Sequence, residues 1–277
     1  MRMRNYDGLI AYITGGSSGI GLAIAKLLAS KGSHVVIFSR QIDALESAVN
    51  NIKSCCISEK QRILFRVLDV SKREMVQKIL LDAVNAYGPP DILINSAGIS
   101  YPQEFVNIPF GKFNEIIQVN LYGTWNTIDI LLPYLKVKKG YIVNVSSIAG
   151  LVGVFGMTAY SASKYAVIGF SEALRSELKR YDITVSVLCP PDVRTPMLEK
   201  ANKIKPQEAK AISAAAAIME PEDVAKMLIK TMDKGDFLII PNASGKFTNI
   251  MKRFFPWLAE WVIDRKIKGV RKQDNYR

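Results

Sequence analysis

Tyr160 and Lys164 stand four residues apart in the stretch Tyr160-Ser161-Ala162-Ser163-Lys164. In a helix that spacing places both on one face, one turn from each other. A phenol exchanges protons poorly at neutral pH, its ordinary pKa being about 10. An ammonium held within a few ångströms favours the phenolate and draws that value toward working pH. The pair is thus a candidate proton-transfer unit. The same two residue types at that spacing also decorate solvated helix faces, so their meaning depends on what else the chain sets beside them.

A second candidate lies near the N-terminus, where Thr14-Gly15-Gly16-Ser17-Ser18-Gly19-Ile20-Gly21 follows an apolar run and opens a helical pattern. Gly15, Gly19 and Gly21 let the chain turn tightly, and Ser17, Ser18 and Ile20 complete the turn. A pyrophosphate can then approach backbone amides at the positive end of a helix. The glycine spacing differs from the common G-x-G-x-x-G. At the end of the second apolar run, where an acid would take the ribose 2′-hydroxyl of NAD, the chain has Ser39 and Arg40. Arginine suits a 2′-phosphate, so the expected cofactor is NADPH/NADP+. Asp69, after the third run, is placed to meet an adenine edge. Asn95-Ser96-Ala97-Gly98, after the fourth, would line the nucleotide groove.

Other residues offer less. His34 is the single histidine and, preceding the second run, reads as a surface residue. Cys55, Cys56 and Cys189 form neither a disulfide framework nor a metal-ligand spacing, which implies a reducing compartment and no metal. With 277 residues and 49% hydrophobic content the chain can bury a large core, and disorder is excluded. A net charge of +12 favours anionic partners. Met1-Arg2-Met3-Arg4-Asn5-Tyr6-Asp7 carries no apolar signal region, and no run reaches the roughly 18 apolar residues of a membrane span. The expected location is cytoplasmic.

These groups must be positioned by elements that alternate short apolar runs with helical periods, the signature of a parallel sheet with crossover helices. Strands are expected at 9–14, 35–39, 63–67, 92–95, 141–145, 184–188 and 237–240, with helices opening near Ile20, Ile42, Lys72, Lys112, Ala159 and Glu222. Ser71 with Glu74, and Pro221 followed by acids, mark helix starts. The fold class is α/β, a single Rossmann-type doubly wound parallel sheet of about seven strands over residues 1–243. The tips of its strands would carry the groups named above.

With these pieces together, the chain resembles the short-chain dehydrogenase/reductase family over nearly all of its first 240 residues. The Thr-Gly-x-x-x-Gly-x-Gly turn matches, and Asn95-Ser96-Ala97-Gly98 is a near match to the family's Asn-Asn-Ala-Gly. The resemblance assigns catalytic roles to Asn120 in Val119-Asn120-Leu121 and to Ser147 in Val145-Ser146-Ser147, beside Tyr160 and Lys164. It implies that Tyr160 protonates a carbonyl oxygen during reduction and that Lys164 depresses the Tyr160 pKa and holds the nicotinamide ribose. Ser147 would hydrogen-bond the substrate, and Asn120 would position a relay water. It adds Pro190, Val193 and Thr195 to the cofactor contacts. Pro191 stands where the family has glycine, and the resulting Pro190-Pro191-Asp192 pattern resembles the branch that reduces long-chain 3-keto sphingoid bases. The resemblance also implies a homo-oligomer, dimer or tetramer.

Two segments fall outside the alternation. An insert at about 195–220 is expected to form a lid over a lipid substrate, with Met197, Leu198, Ile204, Ile212 and Ile218 as apolar contacts, its alanine run at 214–217 having good helix propensity. The segment 244–277 carries Phe247, Ile250, Met251 and Phe254, then Leu258, Trp261 and Val262, at helical spacing among Lys252, Arg253, Arg265, Lys266 and Lys268. Such a basic amphipathic tail suits either the surface of an anionic membrane or packing on protein. No recognition motif points to nucleic acid.

Overall fold

The computed structural model describes residues 5–213 and 218–274; Met1-Arg2-Met3-Arg4 and the alanine run at 214–217 lie outside them. Seven strands form one parallel sheet: β1 (Ile10–Thr14), β2 (His34–Ser39), β3 (Ile63–Val67), β4 (Ile92–Asn95), β5 (Tyr141–Val145), β6 (Thr184–Leu188) and β7 (Leu238–Ile239). Their order is β3-β2-β1-β4-β5-β6-β7. The order reverses between β1 and β4, which run in register from Ala11 opposite Ile92 to Thr14 opposite Asn95. The crevice beyond the carboxyl ends of those two strands is where open α/β sheets take ligands.

Alternation along β1 sorts the core into two layers, because successive side chains leave opposite faces of a strand. Ala11 and Ile13 join one buried cluster with α1 (Gly19–Ala29), α2 (Ile42–Lys53) and the later α9 (Pro221–Met232). Tyr12 joins the other, against α3 (Arg73–Tyr87) and α5 (Gly123–Lys138) and the end of α6 (Thr158–Leu178). Both faces are covered, so strands such as Tyr141–Val145 are buried at every position. Each fully buried Leu or Ile contributes about 1.5–3 kcal/mol. This is the doubly wound sheet expected, with helix starts within two residues of the expected positions.

The outer strand is shorter than the 237–240 expected, because β7 makes only two rungs with β6, Val187 with Leu238 and Leu188 with Ile239. The helical pattern opening near Lys112 is in fact α4 (Phe110–Ile117), a five-residue π-helical turn (Gln118–Tyr122), and α5. That wide turn carries Asn120.

The insert forms α7 (Pro196–Ile204) and α8 (Gln207–Ser213), with a bridge between Val193 and Met219 closing its base. It is pinned to the rest of the chain. Gln103 Nε2 donates to the Ile204 carbonyl at 2.9 Å, and a Cβ built on Gly156 would touch Pro206 and Ala209. The tail forms α10 (Ala243–Phe254) and α11 (Pro256–Asp274), and α11 packs on both α10 and α8.

Candidate active site

The start of α6 faces the end of β5. Ser147 leaves β5 in extended backbone, its hydroxyl accepting from the Ala149 amide at 3.1 Å. The neighbouring Ser146 turns inward instead and donates to the Lys164 carbonyl at 2.8 Å, which fixes α6 against the sheet and settles which serine is presented. The Ser147 hydroxyl acts on the Tyr160 phenol and lowers its pKa. Burial acts more strongly and pushes it up to about 12, with the Asp192 charge adding to the rise. The Lys164 side chain is 4% exposed and donates to the Val145 carbonyl at 2.8 Å. Burial draws its pKa down to about 8.

These values correct the expected tuning of the pair. Lys164 Nζ lies 5.6 Å from the Tyr160 ring centroid, and its hydrogen bond goes to Val145. In the chain alone, loss of water dominates the phenol, which stays protonated at neutral pH. A protonated phenol is the form that gives a proton away, which suits reduction.

Asn120 meets the same cluster from the π-helical turn. Its Oδ1 accepts from the Ile99 amide at 2.8 Å, and its Nδ2 donates to the Ile99 carbonyl at 3.0 Å and to Ser163 Oγ at 2.9 Å. The amide holds the loop after β4 against α6. Gly98 sits between the two groups: a Cβ there would lie 3.3 Å from Asn120 Oδ1 and 3.5 Å from Lys164 Nζ.

The glycine turn lies beside this cluster across the crevice. Gly15 has φ +66, and a Cβ on it would meet Ser96 and the Ala97 amide at 2.8 Å. Gly19 has φ +52 and faces Thr195, whose methyl carbon would lie 2.8 Å from an added Cβ. The first turn of α1 holds no acidic residue, and Ser18 makes no side-chain cap. Its leading amides thus remain available to an anion. Ser17 Oγ donates to Ser39 Oγ at 2.9 Å, which joins the turn to the end of β2, and Arg40 beside it is exposed. Thr195 caps α7, its hydroxyl donating to the Val193 carbonyl at 3.2 Å and accepting from the Leu198 amide at 3.3 Å. Pro190 accepts from the Ile148 amide at 3.0 Å, tying the loop after β6 to the Ser147 turn. A close-approach glycine cradle, a free helix N-terminus and an arginine at the second strand end fit a phosphorylated dinucleotide.

Two of the expected contact residues also have partners within the chain. Asn95 is buried, its Nδ2 donating to Asn144 Oδ1 at 2.9 Å and its Oδ1 accepting from Thr127 at 2.7 Å, so it supports the groove from beneath. Asp69 Oδ1 takes the Ser71 amide and hydroxyl, at 3.0 and 2.7 Å, and so shapes the turn into α3. His34 Nδ1 accepts from the Arg62 amide at 2.9 Å, a structural role.

Residues 9–206 match the short chain dehydrogenase family. The chain belongs to that family. It is 38% identical over 232 residues to the 3-ketodihydrosphingosine reductase of Mus musculus, covering 83% of this chain and 70% of the relative. It is likewise 38% identical to a 3-dehydrosphinganine reductase of Arabidopsis thaliana, covering 85% and 71%. A short chain dehydrogenase/reductase from Burkholderia phymatum, solved in complex with NAD, superposes with a TM-score of 0.81 at 25% identity, covering 92% of this chain and 96% of that one. Family membership makes the protein an oxidoreductase acting on a carbonyl. Within the short-chain dehydrogenase frame, sequence reasoning passed over Ser163, which accepts from Asn120 and donates to the Tyr160 carbonyl at 2.7 Å. It also assigned nothing to Cys189, whose buried thiol is raised to about 12, chiefly by loss of water. Ser163 lies three residues after Tyr160, the reach of a side chain back to its own helix backbone, and that spacing is visible in the sequence.

Proposed function

We propose that the protein reduces 3-ketodihydrosphingosine to dihydrosphingosine with NADPH, and the observation carrying this reading is the convergence of Ser147, Tyr160 and Lys164 in a chain so similar to reductases of that ketone. Gly15, Ser17, Ser18, Gly19, Ile20 and Gly21 take the pyrophosphate, Ser39 and Arg40 the 2′-phosphate, and Asp69 the adenine edge through its remaining oxygen. Ala97 and Gly98 line the groove above Asn95, and Pro190, Val193 and Thr195 form its nicotinamide wall. Bound there, NADPH supplies the hydride.

The remaining work falls to the chain. Tyr160 donates its phenolic proton to the carbonyl oxygen as that oxygen becomes basic. Ser147 donates a hydrogen bond to the same oxygen. Lys164 Nζ spends one proton on Val145, and its other two have no partner among the described residues, which leaves them for ribose hydroxyls. Asn120, through Ile99 and Ser163, keeps the walls of the site at fixed spacing.

The helices α7 and α8 act as the lid. The tail serves as a peripheral contact with the cytoplasmic face of a membrane. Phe247, Ile250 and Phe254 recur on one face of α10 and are 64%, 51% and 66% exposed, and Trp261 on α11 is 54% exposed beneath the Arg265 guanidinium. Such an apolar stripe left outside the core, flanked by Lys252 and Arg253, is the composition of an interfacial helix. Among the described residues, no helix is long and apolar enough to cross a membrane. A separate open groove of about 580 Å³ between α5 and α6, lined by Leu121, Tyr122, Trp125, Ala166 and Phe170, receives a second copy of the chain in a homo-oligomer.

The test is NADPH oxidation by the purified chain on 3-ketodihydrosphingosine and on a 3-oxoacyl thioester, each repeated with NADH. The expected result is turnover on the sphingoid ketone, with NADPH strongly preferred. Turnover confined to the thioester defeats the substrate assignment.

A further inference from the structure

The loop after β6, tied to the Ser147 turn, carries a carboxylate, Asp192. Asp192 follows Pro190 and Pro191, whose lack of backbone N–H and fixed φ stiffen the loop. Pro190 is tied to the Ser147 turn through the Ile148 amide, and the Asp192 carbonyl accepts from Met219 at 3.0 Å. The backbone of Asp192 is thus anchored on both sides, to the catalytic turn and to the base of the lid. Its side chain keeps 29% of its surface exposed, and its charge acts on the Tyr160 phenol.

The Asp192 carboxylate has unused capacity. Lys205, whose side chain is 1% exposed, lies 3.4 Å from Oδ2 but makes its closer bond to Ser213 Oγ, at 2.8 Å. No other hydrogen bond to this carboxylate is present among the described residues. An ionised carboxyl group can accept about four. The lid segment carries Lys200, Lys203, Lys205 and Lys210 against Glu199 and Glu208, in a chain of net charge +12. In a chain with this excess of positive charge, a cationic substrate gains from a carboxylate that receives it.

The substrate proposed above is such a cation. It is a long-chain 2-amino-1-hydroxy-3-ketone, with its ammonium on the carbon next to the carbonyl. Any carboxylate that binds the ammonium must stand within a few ångströms of the group that protonates the carbonyl oxygen. Resting on that substrate reading, we infer that the Asp192 carboxylate receives the substrate ammonium through its free oxygen and so selects amino ketones over neutral ketones. Lys205 holds the other oxygen and sets the direction in which the carboxylate points.

The test compares kcat/KM for 3-ketodihydrosphingosine with that for the same long-chain hydroxy ketone lacking the amine, using the full chain and NADPH. The wild type should favour the amino ketone, and Asp192→Asn should shrink that preference about ten- to hundredfold, the value of one charge-assisted hydrogen bond. Asp192→Glu, which restores the charge, should recover most of it. Equal losses on both ketones would make Asp192 a structural tie of the lid and overturn the inference. So would a wild type with no preference for the amine, a result that needs no variant to fold. A wild type that reduces neither ketone but does reduce a thioester defeats the substrate reading itself, whereas a preference untouched by Asp192→Asn defeats only the role of Asp192.

Discussion

Replacing Lys164 with Met removes a cation that the fold buries, and the effect on stability should depend on pH in a way that can be worked out. Burial lowers this lysine from its ordinary 10.5 to about 8, which corresponds to ~3.4 kcal/mol against the charged form. Between those two values the unfolded chain holds the proton and the folded chain has released it. The unfolded state then binds more protons, so this group makes stability rise with pH. The penalty is nearly complete at pH 7, and about 2.5 kcal/mol of it is recovered by pH 10. Lys164→Met carries no such penalty. It does lose the hydrogen bond to the Val145 carbonyl, a cost of about 1–3 kcal/mol, but that cost is independent of pH and cancels when the two pH values are compared. Tyr160 and Cys189, both raised to about 12, stay protonated in the folded state while their unfolded counterparts begin to titrate, so each lowers stability toward pH 10; both are present in wild type and variant, and their contributions cancel in the comparison. Thermal melts of the cofactor-free wild type and variant at pH 7 and pH 10 measure the difference. Relative to wild type, the variant should lose about 2.5 kcal/mol on going to pH 10, or about 5–10 °C in melting temperature. A gap that does not move with pH, or moves the other way, would refute the claim that Lys164 is buried as an unpaid charge.

Other consequences follow from the same geometry. Tyr160→Phe should lower turnover by about 10²–10⁴-fold, the usual value of a positioned proton donor, while NADPH titrated by fluorescence still binds; retained turnover would remove Tyr160 from its role. Arg40→Ala should raise the KM for NADPH by about tenfold or more and leave that for NADH little changed, since only the 2′-phosphate is lost as a partner; equal effects on both would place Arg40 outside the cofactor site. Deleting residues 244–277 should abolish sedimentation with anionic vesicles, and a truncated chain that still sediments would assign the membrane contact elsewhere.

Much of the sheet is legible in the sequence because parallel strands covered on both faces read as short continuous apolar runs, and all seven stand where those runs are. The ends are less legible. β7 depends on two rungs with β6 and not on its own apolar length. The π-helical turn at Gln118–Tyr122 leaves the helical periodicity on either side intact, so the sequence reads as one helix while the structure opens it at Asn120. In the site, residue types and spacing find Tyr160, Lys164 and the glycine turn. They do not reveal where Asn120 and Asn95 direct their amides, because each finds partners on elements far away in sequence, Ile99, Ser163, Thr127 and Asn144. Nor does spacing decide the pKa of Tyr160, which is set by how much water the folded chain removes and less by the lysine one turn away.

The central claim is that this chain moves a hydride from NADPH to the ketone carbon of a sphingoid base while Tyr160 supplies the proton. It is tested most directly by reacting the purified protein with NADPH deuterated at the transferable position and 3-ketodihydrosphingosine, then reading the product by mass spectrometry. The account predicts dihydrosphingosine carrying one deuterium at C3, and none of it from Tyr160→Phe on the same timescale. Unlabelled product, or no product while a 3-oxoacyl thioester is reduced with label, would contradict it.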